Sequence, residues 1–169
     1  MEGGVRGWPT LDSPLRLELG MTPYVISGLE FGPVVIERVL RQIDPKAMEK
    51  PAGEGRFTPR EVAAHLADWE PILHGRIKQT VDSPGSVLVA YDEVQRGKDM
   101  NYTATDPFDS AQAFAKHRQA TVEYLKGLEA ADWEKSSIHP ERGVMTVREW
   151  VMAVMGHDTY HVEQLTAVW

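Results

Sequence analysis

The chain has 169 residues, with 18 Lys and Arg against 25 Asp and Glu and a net charge of −7. This length suits one domain, and the acidic balance argues against a nucleic-acid partner, which would require clustered Lys and Arg. The absence of cysteine excludes disulfides, zinc–thiolate sites, iron–sulfur clusters and a cysteine nucleophile. Because no apolar run could span a membrane and the first residues lack the apolar core of a signal peptide, we expect a cytoplasmic protein with no membrane partner.

Four long segments have the apolar spacing of amphipathic helices, and capping signals mark the starts of three of them. Thr58 and Glu61 form a capping box, and Thr146 and Glu149 form a second one. Asp106 is the third predicted N-cap, because it precedes a proline that suits the first turn. The predicted helices cover 23–43, 59–80, 107–129 and 147–168.

These segments predict an all-α four-helix bundle over 21–169, preceded by an N-terminal arm over 1–20 that we expect to be poorly ordered. Strand signals are nearly absent, and the β-like run 86–90 is interpreted as loop. The connection over 81–106 is long for a compact domain, which favours a crossover along the bundle that makes the second and third helices parallel. A short helix is expected within it, near 91–100.

His157 and His161 lie four residues apart on the last predicted helix. They continue its apolar stripe between Trp150 and Leu165, so both imidazoles are expected to point into the bundle. Two imidazoles at this spacing project from one face and can chelate a single metal ion. For the spacing alone, a structural pair or two solvated histidines remain alternatives.

His65 lies on the apolar stripe of the second predicted helix. It is about 10 Å from the start of its helix, whereas the midpoint of His157 and His161 is about 20 Å along a helix of about 33 Å. The three side chains are therefore level only if the two helices are antiparallel. An up-down-down-up order, with the long crossover between the second and third helices, makes them antiparallel, and we predict a metal site formed by His65, His157 and His161.

The other three histidines, His74, His117 and His139, are expected at the surface or in loops. Asp158 occupies the place of the catalytic glutamate in the zincin motif HExxH. Because its side chain is too short to reach the same water, we exclude protease chemistry by that mechanism and expect Asp158 to be solvated.

Three motifs resemble the DinB/YfiT-like superfamily of metal-dependent enzymes, and the resemblance spans about 24–168. The first is FTPREVAAHLAD at 57–68, the second is HPERG at 139–143, and the third is GHDTYH at 156–161 followed by Gln164.

The resemblance implies an up-down-down-up bundle, histidine ligands at the positions of His65, His157 and His161, and a homodimer. The family includes transferases and isomerases that use bacillithiol, mycothiol or glutathione, and members labelled metal-dependent hydrolases. Its name suggests DNA damage, but neither the charge nor a motif of this chain supports DNA contact.

Three neutral imidazoles leave a fourth coordination position open, which is typical of a catalytic zinc site. Zinc and nickel suit this ligand set best, with iron as an alternative. The leading hypothesis is an enzyme that transfers a low-molecular-weight thiol of the bacillithiol type to a small electrophile, with the metal supplying the thiolate. The alternatives are a metal-hydroxide hydrolase of a small ester or amide, and a metal-binding module without catalysis.

Four further residues are candidates for supporting roles. Asp68, one turn after His65, could orient a ligand or face water. Gln164, one turn after His161, could hydrogen-bond a substrate or satisfy a neighbour. Trp69 and Trp150 could line a pocket, although core packing is the simpler interpretation. No general acid or base stands out in the sequence.

Overall fold

The computed structural model describes residues 23–168, so the predicted arm over 1–20 lies outside the described residues. The all-α four-helix bundle is confirmed. The helices are α1 (Pro23–Leu40), α2 (Pro59–Asp82), α3 (Glu93–Asp99), α4 (Pro107–Lys126) and α5 (Val147–Thr166). The short α3 lies in the crossover where a helix was predicted, and α1 continues through Pro33. Within 23–168, no helix combines the length and apolar character needed to cross a membrane.

Both predicted capping boxes are present at the starts of α2 and α5. The Thr58 hydroxyl accepts from the Glu61 backbone at 3.3 Å, while the Glu61 carboxylate accepts from the Thr58 backbone at 2.8 Å. Thr146 and Glu149 repeat the exchange at 3.2 and 2.7 Å. Satisfying these otherwise unpaired N–H groups fixes the starts of the two helices that carry the predicted ligands.

The bundle has the predicted up-down-down-up order. Helices α4 and α5 each pack against both α1 and α2. Arg60, at the start of α2, donates to the Thr105 carbonyl just before α4, so these two helices run parallel. His65 near the start of α2 meets His161 near the end of α5, so this pair is antiparallel.

A β-hairpin precedes α5, so the prediction of a segment without strands is wrong here. Strands β1 (Ser136–His139) and β2 (Gly143–Thr146) pair antiparallel. Ile138 also pairs with the crossover, donating to the Ser86 carbonyl at 2.9 Å and accepting from the Leu88 backbone at 2.8 Å. Strands of four residues are too short to show a period of two, and the run 86–90, interpreted as loop, takes part in a single parallel bridge.

The buried side chains form two apolar clusters separated by an ionic layer. One cluster contains Leu29, Leu73, Val122 and Val154, and the other contains Ile36, Leu66, Phe114 and Leu165. Between them along their helices lie the buried residues Glu70, Arg118 and Asp158.

Candidate metal centre

The three histidines predicted as ligands meet between α2 and α5. Nε2 of His157 lies 2.9 Å from Nε2 of His65 and 3.1 Å from Nε2 of His161. One nitrogen from each ring falls within 4.8 Å of the others. His65 and His161 are buried, and His157 is half-buried. The antiparallel packing and the i, i+4 spacing on α5 therefore bring all three to one point.

Burial keeps these imidazoles neutral. It lowers the pKa of His65 to about 2, with further lowering by His157 and His161. Burial likewise lowers the pKa of His157 to about 3 and that of His161 to about 4. At neutral pH each ring therefore keeps an unprotonated nitrogen, which is the form that binds a metal.

Gln164 determines which nitrogen of His161 carries the hydrogen. The Gln164 amide nitrogen donates to the Phe57 carbonyl at 3.0 Å, so its Oε1 is the atom 3.0 Å from Nδ1 of His161. An amide oxygen only accepts, so Nδ1 is the protonated nitrogen and the lone pair lies on Nε2. This contact therefore directs the lone pair of His161 toward the other two rings.

The donor set fits a divalent metal ion. Tetrahedral zinc–imidazole bonds of 2.0–2.1 Å place ligand nitrogens about 3.3 Å apart. The Nε2 separations of 2.9 and 3.1 Å are close to that value. Nδ1 of His65 and Nδ1 of His157 are buried and find no partner among the described residues, so Nε2 is the nitrogen that each ring turns toward its neighbours.

A cavity of about 370 Å³ opens beside the histidines and reaches His157. Glu93 of α3 contributes to its wall, and its Oε1 lies 3.7 Å from Nε2 of His65. Burial raises the pKa of Glu93, against a lowering by Arg142. Glu93 was missed in the sequence because it comes from the crossover, where no periodic pattern ties a side chain to the site.

The two tryptophans predicted to line a pocket or to pack in the core do both. Trp69 and Trp150 are buried, and both line the cavity. The Trp69 ring also packs beside His65, with ring centroids 5.5 Å apart. The wall of the cavity is therefore largely aromatic next to the histidine cluster.

Asp68 contacts the crossover, with no hydrogen bond to His65. Its carboxylate accepts from Arg96 at 2.5 and 2.7 Å and from the Tyr102 hydroxyl at 2.7 Å. Tyr102 in turn stands edge-on to His65, with ring centroids 6.1 Å apart. Asp68 thus connects α2 to two crossover residues beside the histidines.

The remaining histidines follow the prediction only in part. His117 is exposed, as expected. His74 is half-buried, and its Nδ1 lies 3.2 Å from the Thr121 hydroxyl. His139, expected in a loop, is instead buried at the end of β1, where its ring stands edge-on to Trp150 and lines the cavity. The unpredicted hairpin accounts for its burial.

Asp158 is buried, so the expectation of a solvated carboxylate is wrong. It accepts from Arg118 at 2.5 and 2.9 Å, while Glu70 accepts from the same guanidinium at 2.8 and 2.7 Å. These three residues belong to three helices, and an isolated stripe on one helix does not reveal the partner on another. The residue next to His157 is therefore fixed in the ionic layer.

Fold and site together define a helical-bundle protein with a buried cluster of three histidines beside an aromatic cavity. The chain belongs to the DinB superfamily, whose sequence model matches residues 29–165, which confirms the resemblance. A relative from Oceanobacillus iheyensis, named "Putative metal-dependent hydrolase OB0782", is 22% identical over 143 residues, covering 85% of this chain and 83% of that protein. A relative from Bacillus mycoides, named "Putative metal-dependent hydrolase BcerKBAB4_2443", is 23% identical over 165 residues. The match covers 91% of this chain and 95% of that protein.

Two solved structures share the fold. YfiT from Bacillus subtilis, described as a probable metal-dependent hydrolase with an unusual four-helix bundle topology, has a TM-score of 0.82 at 18% identity and covers 95% of this chain and 91% of its own. The mycothiol-dependent maleylpyruvate isomerase has a TM-score of 0.66 at 16% identity, with coverages of 93% and 62%. At these identities the similarity shows the fold alone.

Proposed function

We propose that the chain is a metal-dependent enzyme in which His65, His157 and His161 bind one divalent ion, zinc or nickel, and that it transfers a low-molecular-weight thiol to a small electrophile. The observation that carries the proposal is the convergence of three neutral Nε2 atoms at 2.9 and 3.1 Å. Three protein ligands leave a coordination position for a reacting group. The cavity of about 370 Å³ at His157 gives that group access.

Several residues around this centre have distinct roles in the proposed reaction. The bound ion would lower the pKa of an incoming nucleophile so that it reacts at neutral pH. Gln164 holds His161 with its Nε2 lone pair toward the ion, and Glu93, 3.7 Å from Nε2 of His65, is placed to accept the proton that the nucleophile loses. Trp69 and Trp150 restrict water around the reacting groups.

One comparison supports a thiol as the nucleophile, and the composition of the chain is compatible with it. The chain has no cysteine, so a sulfur nucleophile must be brought by a co-substrate. The same fold supports an enzyme whose activity depends on mycothiol, the maleylpyruvate isomerase. Bacillithiol, mycothiol and glutathione are the thiols to test.

Hydrolysis of a small ester or amide is the second candidate. The half-exposed Glu93 favours it, because a carboxylate beside the ligand cluster with a pKa raised by burial suits proton transfer from water. The sequence relatives in Oceanobacillus and Bacillus carry hydrolase names.

The test uses full-length protein without an affinity tag, stripped of metal and reloaded with one equivalent of zinc or nickel. Each thiol is offered with 1-chloro-2,4-dinitrobenzene, and p-nitrophenyl acetate is offered without thiol. His65→Ala removes a cluster histidine, whereas His117→Ala removes an exposed one and serves as the matched control. We expect metal-dependent thiol transfer in the wild type and in H117A, and neither activity nor stoichiometric metal in H65A.

Three outcomes would overturn parts of this proposal. Turnover of the ester alone would replace thiol transfer by hydrolysis. Stoichiometric metal without either activity would leave a binding module. Retention of the ion by H65A and by the corresponding variants of His157 and His161 would remove the metal site itself. The homodimer implied by the family resemblance stays a prediction, which sedimentation of the full chain tests.

A further inference from the structure

Arg76 is a buried cation in the wall of the cavity that also contains His157. It lies on α2 and is 7% exposed. Its guanidinium carbon lies 5.5 Å from the centre of the Trp69 ring, 5.4 Å from that of Trp150 and 5.9 Å from that of Tyr91. Aromatic faces attract a cation but accept few of its N–H hydrogen bonds.

Among residues 23–168, Arg76 donates one hydrogen bond and keeps a buried donor without an acceptor. Its Nη2 donates to the Val89 carbonyl at 3.1 Å. Its Nε is buried and has no partner, and within residues 23–168 no carboxylate lies at ion-pair distance from this guanidinium. A buried charge without a counter-charge is costly, and that cost decreases when an anion binds.

Arg118 shows how this protein accommodates a buried arginine that has a structural role. It is 1% exposed and donates to both oxygens of Glu70, both oxygens of Asp158 and the Leu29 carbonyl. Arg118 is thus compensated by two carboxylates, whereas among residues 23–168 no carboxylate forms an ion pair with Arg76. The difference leaves Arg76 able to take a bound anion as its counter-charge.

A second cation faces the same cavity. Arg142, in the turn of the hairpin, lines the cavity. Burial lowers the pKa of Arg76, and the charge of Arg142 lowers it further, against smaller raising effects of Tyr91 and Glu141. Glu93 and Glu141 line the cavity too, so its charges are mixed, but neither carboxylate pairs with Arg76. An anion entering the cavity would therefore meet an arginine that has no ion-pair partner among residues 23–168.

We propose that Arg76 binds the carboxylate of a small molecule whose apolar or aromatic body lies against Trp69 and Trp150. A guanidinium offers two parallel N–H donors that match the two oxygens of a carboxylate. The inference deepens the proposed function and rests on it for the reaction that follows, because the cavity holds this carboxylate beside the histidine cluster. The carboxylate belongs either to the electrophile or to the thiol co-substrate.

The test is calorimetric titration of metal-free, full-length protein, so that it does not depend on the metal proposal. Phenylacetate represents a carboxylate electrophile, S-methylglutathione represents a carboxylate-bearing thiol with its sulfur blocked, and phenylacetamide is the neutral match to phenylacetate. We expect at least one of the two carboxylate probes to bind. If that probe is phenylacetate, phenylacetamide should bind about tenfold or more weakly than phenylacetate. The probe that binds through Arg76 identifies the source of the carboxylate.

Three variants test the role of Arg76. Arg76→Gln removes the charge and should weaken the binding probe by about ten- to hundredfold. Arg76→Lys keeps the charge but lacks the two parallel N–H donors of the guanidinium, so its affinity should be intermediate. This variant still tests the proposal if R76Q does not fold. Arg41→Gln is the control, because Arg41 pairs with Glu37 on the exposed surface of α1, and it should bind as the wild type does.

Wild-type affinity of the binding probe in R76Q and R76K, or no binding of either carboxylate probe, would overturn the proposal. Where phenylacetate is the probe that binds, equal binding of phenylacetamide would overturn it as well. Because the titrations use metal-free protein, a failure of the metal site would leave them unchanged, so the two proposals fail separately.

Discussion

Gly32 of α1 lies directly against Asp158 of α5. A β-carbon at position 32 would stand 2.6 Å from Oδ2 of Asp158 and 3.2 Å from Nη1 of Arg118. Such distances are shorter than van der Waals contact, and the atoms approached belong to the buried ion pair. The missing side chain at Gly32 therefore allows α1 to close over the ionic layer.

Gly32→Ala should lower the free energy of unfolding by about 1–3 kcal/mol, because the added methyl displaces a packed and hydrogen-bonded pair. Gly75→Ala is the matched control in α2, where an added β-carbon meets nothing within 4 Å. It should raise stability by about 0.5–1 kcal/mol through helix propensity. Urea denaturation of both variants measures the difference, and equal stabilities would contradict the close contact.

Arg118→Met should destabilise the protein by about 3–5 kcal/mol, because it leaves two carboxylates buried without their shared cation. Arg41→Met, which removes the exposed pair with Glu37, should change stability little. Thermal and urea unfolding of both variants at pH 7 provide the measurement. An R118M protein as stable as the wild type would show that Glu70 and Asp158 are already compensated elsewhere.

Gln164→Leu should weaken metal binding by about ten- to hundredfold, because His161 loses the acceptor that fixes its tautomer. The readout is competition for zinc against a chelator of known affinity. Gln119→Leu, which removes an amide paired with Glu123 on the surface of α4, is the control and should keep wild-type affinity. Unchanged affinity in Q164L would mean that His161 needs no such support.

Asp68→Asn separates two interpretations of that carboxylate. If Asp68 anchors the crossover through Arg96 and Tyr102, the variant should increase backbone hydrogen exchange over 91–104 and leave zinc affinity unchanged. If Asp68 orients a ligand, as the sequence also allowed, zinc affinity should fall as in Q164L. Asp99 lies in the short helix α3 with Arg96 and accepts from Gln95. Asp99→Asn is the control and should change neither the hydrogen exchange nor the zinc affinity.

The pKa of His74 predicts a dependence of stability on pH. Burial lowers that pKa below 6.5, against a raising effect of Glu70. The unfolded chain therefore binds a proton more readily than the folded protein, and stability decreases as the pH falls below about 6.5. His74→Asn should make the decrease between about pH 7 and pH 5.5 shallower in denaturation experiments. Identical slopes would show that His74 is protonated equally in both states.

Much of the bundle could be predicted because its signals are local. A capping box such as Thr58 and Glu61 needs only four consecutive residues, and helix bounds follow from an apolar period that repeats over several turns. The histidine cluster could be predicted because helix rise converts sequence positions into heights. His65, His157 and His161 are level only in one topology, and that topology is observed.

The features that escaped prediction depend on pairing between distant segments. Asp158 was expected in water because its partner Arg118 lies on another helix, and the space for their pairing comes from a glycine on a third. The hairpin that buries His139 is too short for a periodic signal. Glu93 reaches the histidines because the crossover folds back across the site, and nothing in the local sequence fixes that path.

The bundle and the crossover contribute different residues to the site, and this separation has an evolutionary consequence. The long helices provide the histidines and the ionic layer, whereas the crossover provides Tyr91, Glu93 and Arg96 to the neighbouring surfaces. Substitutions in that segment can therefore change the walls of the cavities while the histidines and the interior stay the same. A scaffold arranged in this way can diversify its chemistry one connecting segment at a time.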